Sequence, residues 1–161
     1  MRILGIDPGT ATVGYGIIEV NNDQIIVVNY GFIQTSSKSP MSNRLNVIYD
    51  DIKTLIDTFK QDLMSIEELF FFKNAKTVIS VSQARGVILL AAVQANVEIF
   101  EYTPLQVKVT LTGYGRADKN EVQNCVKDIL ELDEIPKPDD AADALAIALC
   151  HYQHMNNNLE V

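Results

Sequence analysis

Three strand-like stretches follow one another within the first 34 residues, which commits the chain to an antiparallel sheet before any helix is reached. Met1 to Ile6 is apolar, Asp7-Pro8-Gly9-Thr10 reads as a turn, and Val13 to Val20 resumes in β-rich residues up to a second turn at Asn21-Asn22-Asp23. Gln24 to Gln34 reads as the third strand. After a loop over 36–42 that contains Pro40, the residues Leu45, Ile48, Ile52, Leu55, Ile56 and Phe59 recur at helical spacing. The pattern then predicts a short fourth strand within Asp62 to Phe71, a long helix over Ala75 to Asn96 and a fifth strand over Val97 to Tyr102. Further helices are expected over Pro104 to Thr112, Asp118 to Leu132 and Asp139 to about His154, the last two opened by Asp residues suited to capping. The expected fold class is α/β: a five-stranded mixed sheet, three antiparallel strands followed by two reached through helices, with helices flanking it.

A chain of 161 residues that is 47% apolar can bury one substantial core. A single domain over 1–155 and a short frayed tail over 156–161 are expected. The longest apolar stretch, Gly86 to Val93, falls well short of the ~20 residues that span a bilayer, and no basic region precedes an apolar signal segment. These features predict a soluble, cytoplasmic protein without a membrane partner. Cys125 and Cys150 sit in helix-like stretches without metal-ligand spacing and are expected to be packing residues.

The net charge of −8 argues at first against a nucleic-acid partner. Its distribution is more informative: only residues 69–120 carry more basic than acidic groups, six against three. Charge alone does not decide the matter, because a solvated helix face scatters charge in the same way.

Carboxylates in unexpected places decide more. Asp7 ends an apolar strand, where an Asp before Pro-Gly is by itself an ordinary turn former. Glu67 follows Leu63-Met64-Ser65-Ile66, where a charge facing the core is costly unless paired or bound to a metal. Glu68 points the opposite way if the strand continues, so only one of the two can join Asp7, and periodicity leaves the choice open. In "PDDAADALAIALC", Asp140 and Asp143 are three apart on an expected helix and share a face, and Asp139 and Asp143, four apart, can do so too. Acidic residues in a first turn favour the helix dipole, which accounts for Asp139 but less well for Asp143 within an Ala/Leu/Ile run. Strand ends of a mixed sheet lie near one another, so these carboxylates can converge; Mg²⁺ or Mn²⁺ with oxygen ligands would stabilise them together. Two such ions about 4 Å apart can drive phosphodiester hydrolysis.

Five segments, "ILGIDPGTATVGYGII", "IEELFFFKNAKT", "SQARGVILLAAV", "YTPLQVKVTLTGYGRADKNEV" and "DDAADALAIAL", resemble in order, and over nearly the whole chain, the motifs of the RuvC-type Holliday junction resolvases. The resemblance implies an RNase H-like fold, a homodimer, and metal-dependent nicking of opposed strands of a four-way DNA junction. It carries catalytic, metal-binding roles onto Asp7, Glu67, Asp140 and Asp143, with two Mg²⁺ per active site and Mn²⁺ as a substitute. It thereby chooses Glu67 over Glu68 and Asp140 over Asp139. It also implies water attack leaving 5′-phosphate and 3′-hydroxyl ends, chemistry that needs neither His151 nor His154.

On this reading Lys73, Lys76, Arg85, Lys108, Arg116 and Lys119 hold DNA phosphates, Lys108 and Lys119 nearest the cleavage site. Among Phe70, Phe71 and Phe72, ordinary strand core accounts for at least two, while the resemblance assigns Phe70 to stacking on a base at the junction. The helix over Ser82 to Val93 is the candidate dimer contact, with burial against its own sheet as the plainer account. A branch-migration complex is a further implied partner. Relatives are commonly more basic, with a longer basic C-terminal extension, so weaker non-specific DNA affinity and stronger salt sensitivity are expected here. The reading places Asp7 in the middle of the rim shared by the three antiparallel strands, with Pro8-Gly9 turning the chain away.

Two other classes compete. A nucleotide-binding kinase fragment would use the Asp7-Pro8-Gly9-Thr10 turn for phosphate and would bind ATP, but that fold needs a second such hairpin and none is present. A junction-binding module, or a nuclease acting on other branched DNA or RNA, is separated from a resolvase by its cleavage products.

Overall fold

The computed structural model describes residues 1–69 and 76–157. Strands β1 (Arg2–Asp7), β2 (Thr12–Asn21) and β3 (Gln24–Gln34) are followed by helix α1 (Met41–Phe59), β4 (Leu63–Glu67), α2 (Val78–Gln94) and β5 (Glu98–Tyr102). Three helices close the chain: α3 (Pro104–Thr112), α4 (Lys119–Ile129) and α5 (Asp139–Asn157). The sheet order is β3-β2-β1-β4-β5. β1, β2 and β3 pair antiparallel, whereas β4 joins β1 and β5 joins β4 in parallel. The middle of the antiparallel trio is therefore β2. β1 is instead the centre of the whole sheet, where antiparallel and parallel halves meet, which corrects the position expected for Asp7.

Strand alternation sends successive residues to opposite faces. Leu4, Ile6, Val13, Ile17, Met64 and Ile66 meet Ile48, Ile52 and Ile56 of α1 and Ala84, Ile88 and Ala92 of α2 in one apolar cluster. Each fully buried aliphatic side chain there contributes about 1.5–3 kcal/mol. The other face packs Ile3, Ile18 and Leu63 against α3, α4 and α5. Helix α5 is the most deeply placed, with Ala141, Ala142 and every residue from Ala144 to His151 buried.

Three glycines make room for it. A Cβ on Gly5 would overlap the Ala144 carbonyl and crowd Ala148, one on Gly14 would overlap the Asp140 carbonyl, and one on Gly16 would press on Leu145. The bare patch of β1 and β2 lets the backbone of α5 lie directly on the sheet. Buried Ser65 of β4 donates a hydrogen bond to the Ile147 carbonyl at 2.8 Å, tying α5 to the parallel half.

Helix ends differ from expectation in three helices: α2 begins only at Val78, after Thr77, and stops at Gln94 because Asn96 turns left-handed (φ 57°) and the Val97 amide donates back to the Ala92 carbonyl at 3.0 Å. α4 stops at Ile129, because Glu131 turns left-handed (φ 52°) and the Leu132 amide donates back to the Lys127 carbonyl at 2.9 Å. Leu130 and Leu132 are thereby folded into the core as cap residues rather than helix residues. α5 continues beyond His154 to Asn157. Cys125 is half-buried and Cys150 buried, and both are free. Among the described residues no helix is long and apolar enough to cross a membrane.

Candidate active site

The site begins with strand parity. Asp7 pairs with Gly14 on β2, and Ile6 with Ile66 on β4, so Glu67 stands beside Asp7 on the parallel side. Leu63 and Ser65 face α5, hence Glu67 faces α5 as well; Glu68 is exposed, and its amide donates to the Tyr102 carbonyl at 2.8 Å. Asp7 shares that face, because Gly5 does.

Helix α5 brings the remaining carboxylates. Asp139 and Asp140 lie in its first turn, where acidic side chains suit the helix dipole. One oxygen from each of Asp7, Asp140 and Asp143 can be chosen so that all three lie within 4.8 Å of one another. Asp139 is outside that trio: it shares Lys119 with Asp143, at 3.4 Å, and accepts a hydrogen bond from Gln123 at 3.3 Å. Glu67 joins Asp7 and Asp143 in lining a cleft of about 290 Å³, with Pro104, Val107, Lys108, Lys119 and Val122 on the opposite wall.

Electrostatics mark Asp7 as the strained member. Burial, followed by the negative charges of Glu67, Asp143 and Asp140, pushes its carboxyl up to about 8, against a smaller opposing effect of Lys119. Burial also raises Asp143, opposed by its hydrogen bond and ion pair with Lys119 at 3.0 Å. Repelling, partly dehydrated carboxylates with close oxygens form the all-oxygen donor set that a hard divalent cation satisfies. Residues and group fit.

Two capping boxes hold the cationic wall. Thr103 accepts from the Gln106 amide (3.1 Å) while Gln106 accepts from the Thr103 amide (2.8 Å), starting α3 with Pro104 in its first turn and Lys108 one turn on. Asp118 and Glu121 make the same exchange at 2.8 and 2.6 Å, which sets Lys119 as the first residue of α4.

The other cations are scattered. Arg116 is exposed in the α3–α4 loop and Lys76 is exposed ahead of α2. Arg85 is turned inward: its guanidinium contacts the Glu101 carboxylate at 2.9 Å without hydrogen-bond alignment, and its Nε donates weakly to the Glu67 carbonyl at 3.4 Å. That position braces the end of β4, and a phosphate would have to displace Glu101 to use it. Phe70 and Lys73 lie outside the described residues. Gly5, Gly14 and Gly16 are the site-forming residues that sequence reasoning missed. Their signal was present, since glycines alternate with large apolar residues on both strands and mark one face as bare.

A mixed sheet whose central strand ends in a carboxylate, completed by acidic residues of a helix laid on that strand, defines a metal-dependent nuclease of the RNase H-like fold. The family model described as "Crossover junction endodeoxyribonuclease RuvC" matches residues 3–151, and the chain belongs to that family. Proteins of that name from Finegoldia magna and Fusobacterium nucleatum are similar to it. The first is 56% identical over 151 residues (94% of this chain, 92% of the relative), and the second 53% over 159 (99% and 84%). The structure of Thermus thermophilus RuvC superposes with a TM-score of 0.92 at 34% identity, covering 98% of this chain and 97% of that one. The same protein in complex with Holliday junction substrate also gives 0.92.

Proposed function

We propose that this chain resolves four-way DNA junctions in recombination and repair, by symmetric metal-dependent phosphodiester hydrolysis. The observation that carries the reading is the convergence of Asp7, Asp140 and Asp143, of which Asp7 and Asp143 line a cleft together with Glu67, Lys108 and Lys119. Family membership supports the chemistry, and the Thermus thermophilus complex supports the substrate.

Asp7, Glu67, Asp140 and Asp143 are the proposed catalytic residues and would hold two Mg²⁺, or Mn²⁺, which when bound activate water and stabilise the leaving oxygen, giving 5′-phosphate and 3′-hydroxyl ends. Asp7 anchors the set from the centre of the sheet, and a divalent cation bound there would hold it as the carboxylate against its raised proton affinity. Lys119 neutralises Asp143 in the resting protein and offers the same ammonium to an entering phosphate. Lys108, half-buried on the facing wall, orients the sugar-phosphate chain. Lys76 and Arg116 would hold phosphates further out, and Phe70 and Lys73 keep the roles the resemblance implies. Arg85 acts as a brace for Glu67 unless DNA draws it from Glu101.

Two opposed nicks need two sites, so a homodimer is part of the proposal. α2 supports it: Ala84, Ile88, Ala91 and Ala92 pack inward, while Ile79 (72% exposed), Leu90 and Val93 form an outward apolar stripe with open space around Gly86. Residues 1–155 would act as one cytoplasmic nuclease domain, with a branch-migration complex as its companion.

The test is cleavage of a synthetic four-way junction beside a linear duplex of the same sequence, in Mg²⁺, Mn²⁺ or EDTA. Paired, symmetric, metal-dependent nicks in the junction alone are expected. Binding without cutting would replace the reading with a junction-binding module. Cutting of flaps, duplex or RNA hybrids instead would keep the nuclease and reject the substrate.

A further inference from the structure

The face that carries the carboxylates continues across Gly14 to the sheet edge. Gly14 pairs with Phe32 on β3, so Glu67, Asp7, Gly14 and Phe32 form one transverse row, and paired antiparallel residues point to the same face. Two strand spacings, about 10 Å, separate the backbones of Asp7 and Phe32. Tyr30 occupies the same face one step back, paired with Gly16. The first turn of α5 lies over Gly14 at Asp140 and the next turn over Gly16 at Leu145, so both rings flank α5 on the side away from Lys108 and Lys119. Phe32 is 47% exposed and Tyr30 39%, on a face where Ile3, Ile18 and Leu63 are all buried. Exposed rings on an edge strand invite edge-to-edge association, and nothing in the packing requires them.

Their surroundings favour an anionic partner with flat rings. Lys38 is exposed in the loop that follows β3, and exposed Lys137 lies three residues before Asp140, whose carbonyl sits over Gly14, the partner of Phe32. Neither lysine is ion-paired among the described residues, in a chain of net charge −8. Cations that follow a backbone, with aromatic rings beside them, are what a single nucleic-acid strand needs. A strand whose phosphate sits at Asp7 advances roughly 3.4 Å or more per nucleotide, so it reaches Phe32 within three nucleotides.

Resting on the junction-cleaving reading above, we propose that Phe32, flanked by Tyr30, is a stacking platform for an unpaired base of the scissile strand within three nucleotides of the cut. It is a positioning residue: it holds the strand across the first turn of α5 and leaves the reacting atoms to the carboxylates.

The test is single-turnover cleavage of a four-way junction in Mg²⁺ across a range of protein concentrations, for wild type, Phe32→Ala, Phe32→Leu and Phe32→Trp. Thermal melting confirms that each variant is folded, and Leu keeps the apolar bulk should Ala perturb the strand. Loss of the ring should raise the half-saturating concentration by ~10-fold in both Ala and Leu variants, with the maximal rate within about twofold and Trp restoring wild-type behaviour. A 2-aminopurine within three nucleotides of the cut should be quenched by wild type and not by Phe32→Leu. Wild-type half-saturation and quenching in Phe32→Leu would overturn the platform while leaving the nuclease intact. Failure of wild type to cut the junction would overturn the underlying reading, and the platform with it.

Discussion

The two faces of the central sheet are built to different rules. Toward α1 and α2, β1 and β2 present Leu4, Ile6, Val13 and Ile17, large side chains that hold the helices off by a full layer of aliphatic packing. Toward α5 the same strands present Gly5, Asp7, Gly14 and Gly16, and the helix backbone comes down onto the sheet. One face gains its stability from volume. The other keeps Ile3 and Ile18 in its core but gives up volume at Gly5, Gly14 and Gly16 to bring Asp140 and Asp143 within reach of Asp7, and burial followed by repulsion then pushes the Asp7 carboxyl up to about 8. Stability and chemistry are thus separated by strand parity within single strands, and each face should respond to a different kind of damage.

The largest effect belongs to the carboxylate itself. Asp7→Asn should reduce junction cutting by ~1000-fold or more while leaving the protein folded and able to bind the junction, measured as single-turnover cleavage beside gel-shift binding. Next is the surface beneath it. In Gly14→Ala the new methyl group displaces the first turn of α5, and a shift of even ~1 Å in Asp140 should slow cutting by about 100-fold. The opposite face should respond the other way: Ile52→Ala, at a fully buried α1 position, should lower stability by about 2–5 kcal/mol in urea unfolding while the cutting rate per folded molecule stays near wild type. If both substitutions damaged rate and stability alike, the division between faces would fail.

The smallest effect tests the burial and repulsion of Asp7. Because Asp7 titrates near 8 in the folded protein rather than at its ordinary 3.8, the folded state binds a proton there that the unfolded chain has released. Between those values, stability in EDTA should fall as pH rises, and the whole penalty is present above about pH 8. Asp7→Asn removes it, so the variant should melt roughly 5 °C or more above wild type at pH 8.5 and level with it below pH 4.

Much of this was legible in the sequence, for local reasons. The β-rich runs over 13–20 and 24–34, divided by Asn21-Asn22-Asp23, specify adjacent antiparallel strands because the turn is encoded beside them. The pairing of β1 with β4 spans 60 residues and has no local signature, so the place of β1 at the sheet centre emerges only from the assembled fold. Which of Glu67 and Glu68 faces α5 depends on the phase of β4, which Ser65 fixes by bonding to α5. Leu130 and Leu132 extend the helical pattern of α4 although the backbone has already turned at Glu131, since apolar spacing does not distinguish a helix from its buried cap. Sequence records the charge of Arg85 and not that Glu101, 16 residues on, lies 2.9 Å from its guanidinium.

Binding of Mn²⁺ to the intact protein, followed by calorimetry in wild type, Asp7→Asn and Gly14→Ala, tests the central claim most directly, because it reads the assembled carboxylates without DNA or turnover. The account predicts clear binding with proton release in wild type, a marked loss in Asp7→Asn, and weakened binding in Gly14→Ala, whose carboxylates are all present but displaced. Equal Mn²⁺ affinity in all three proteins would contradict it.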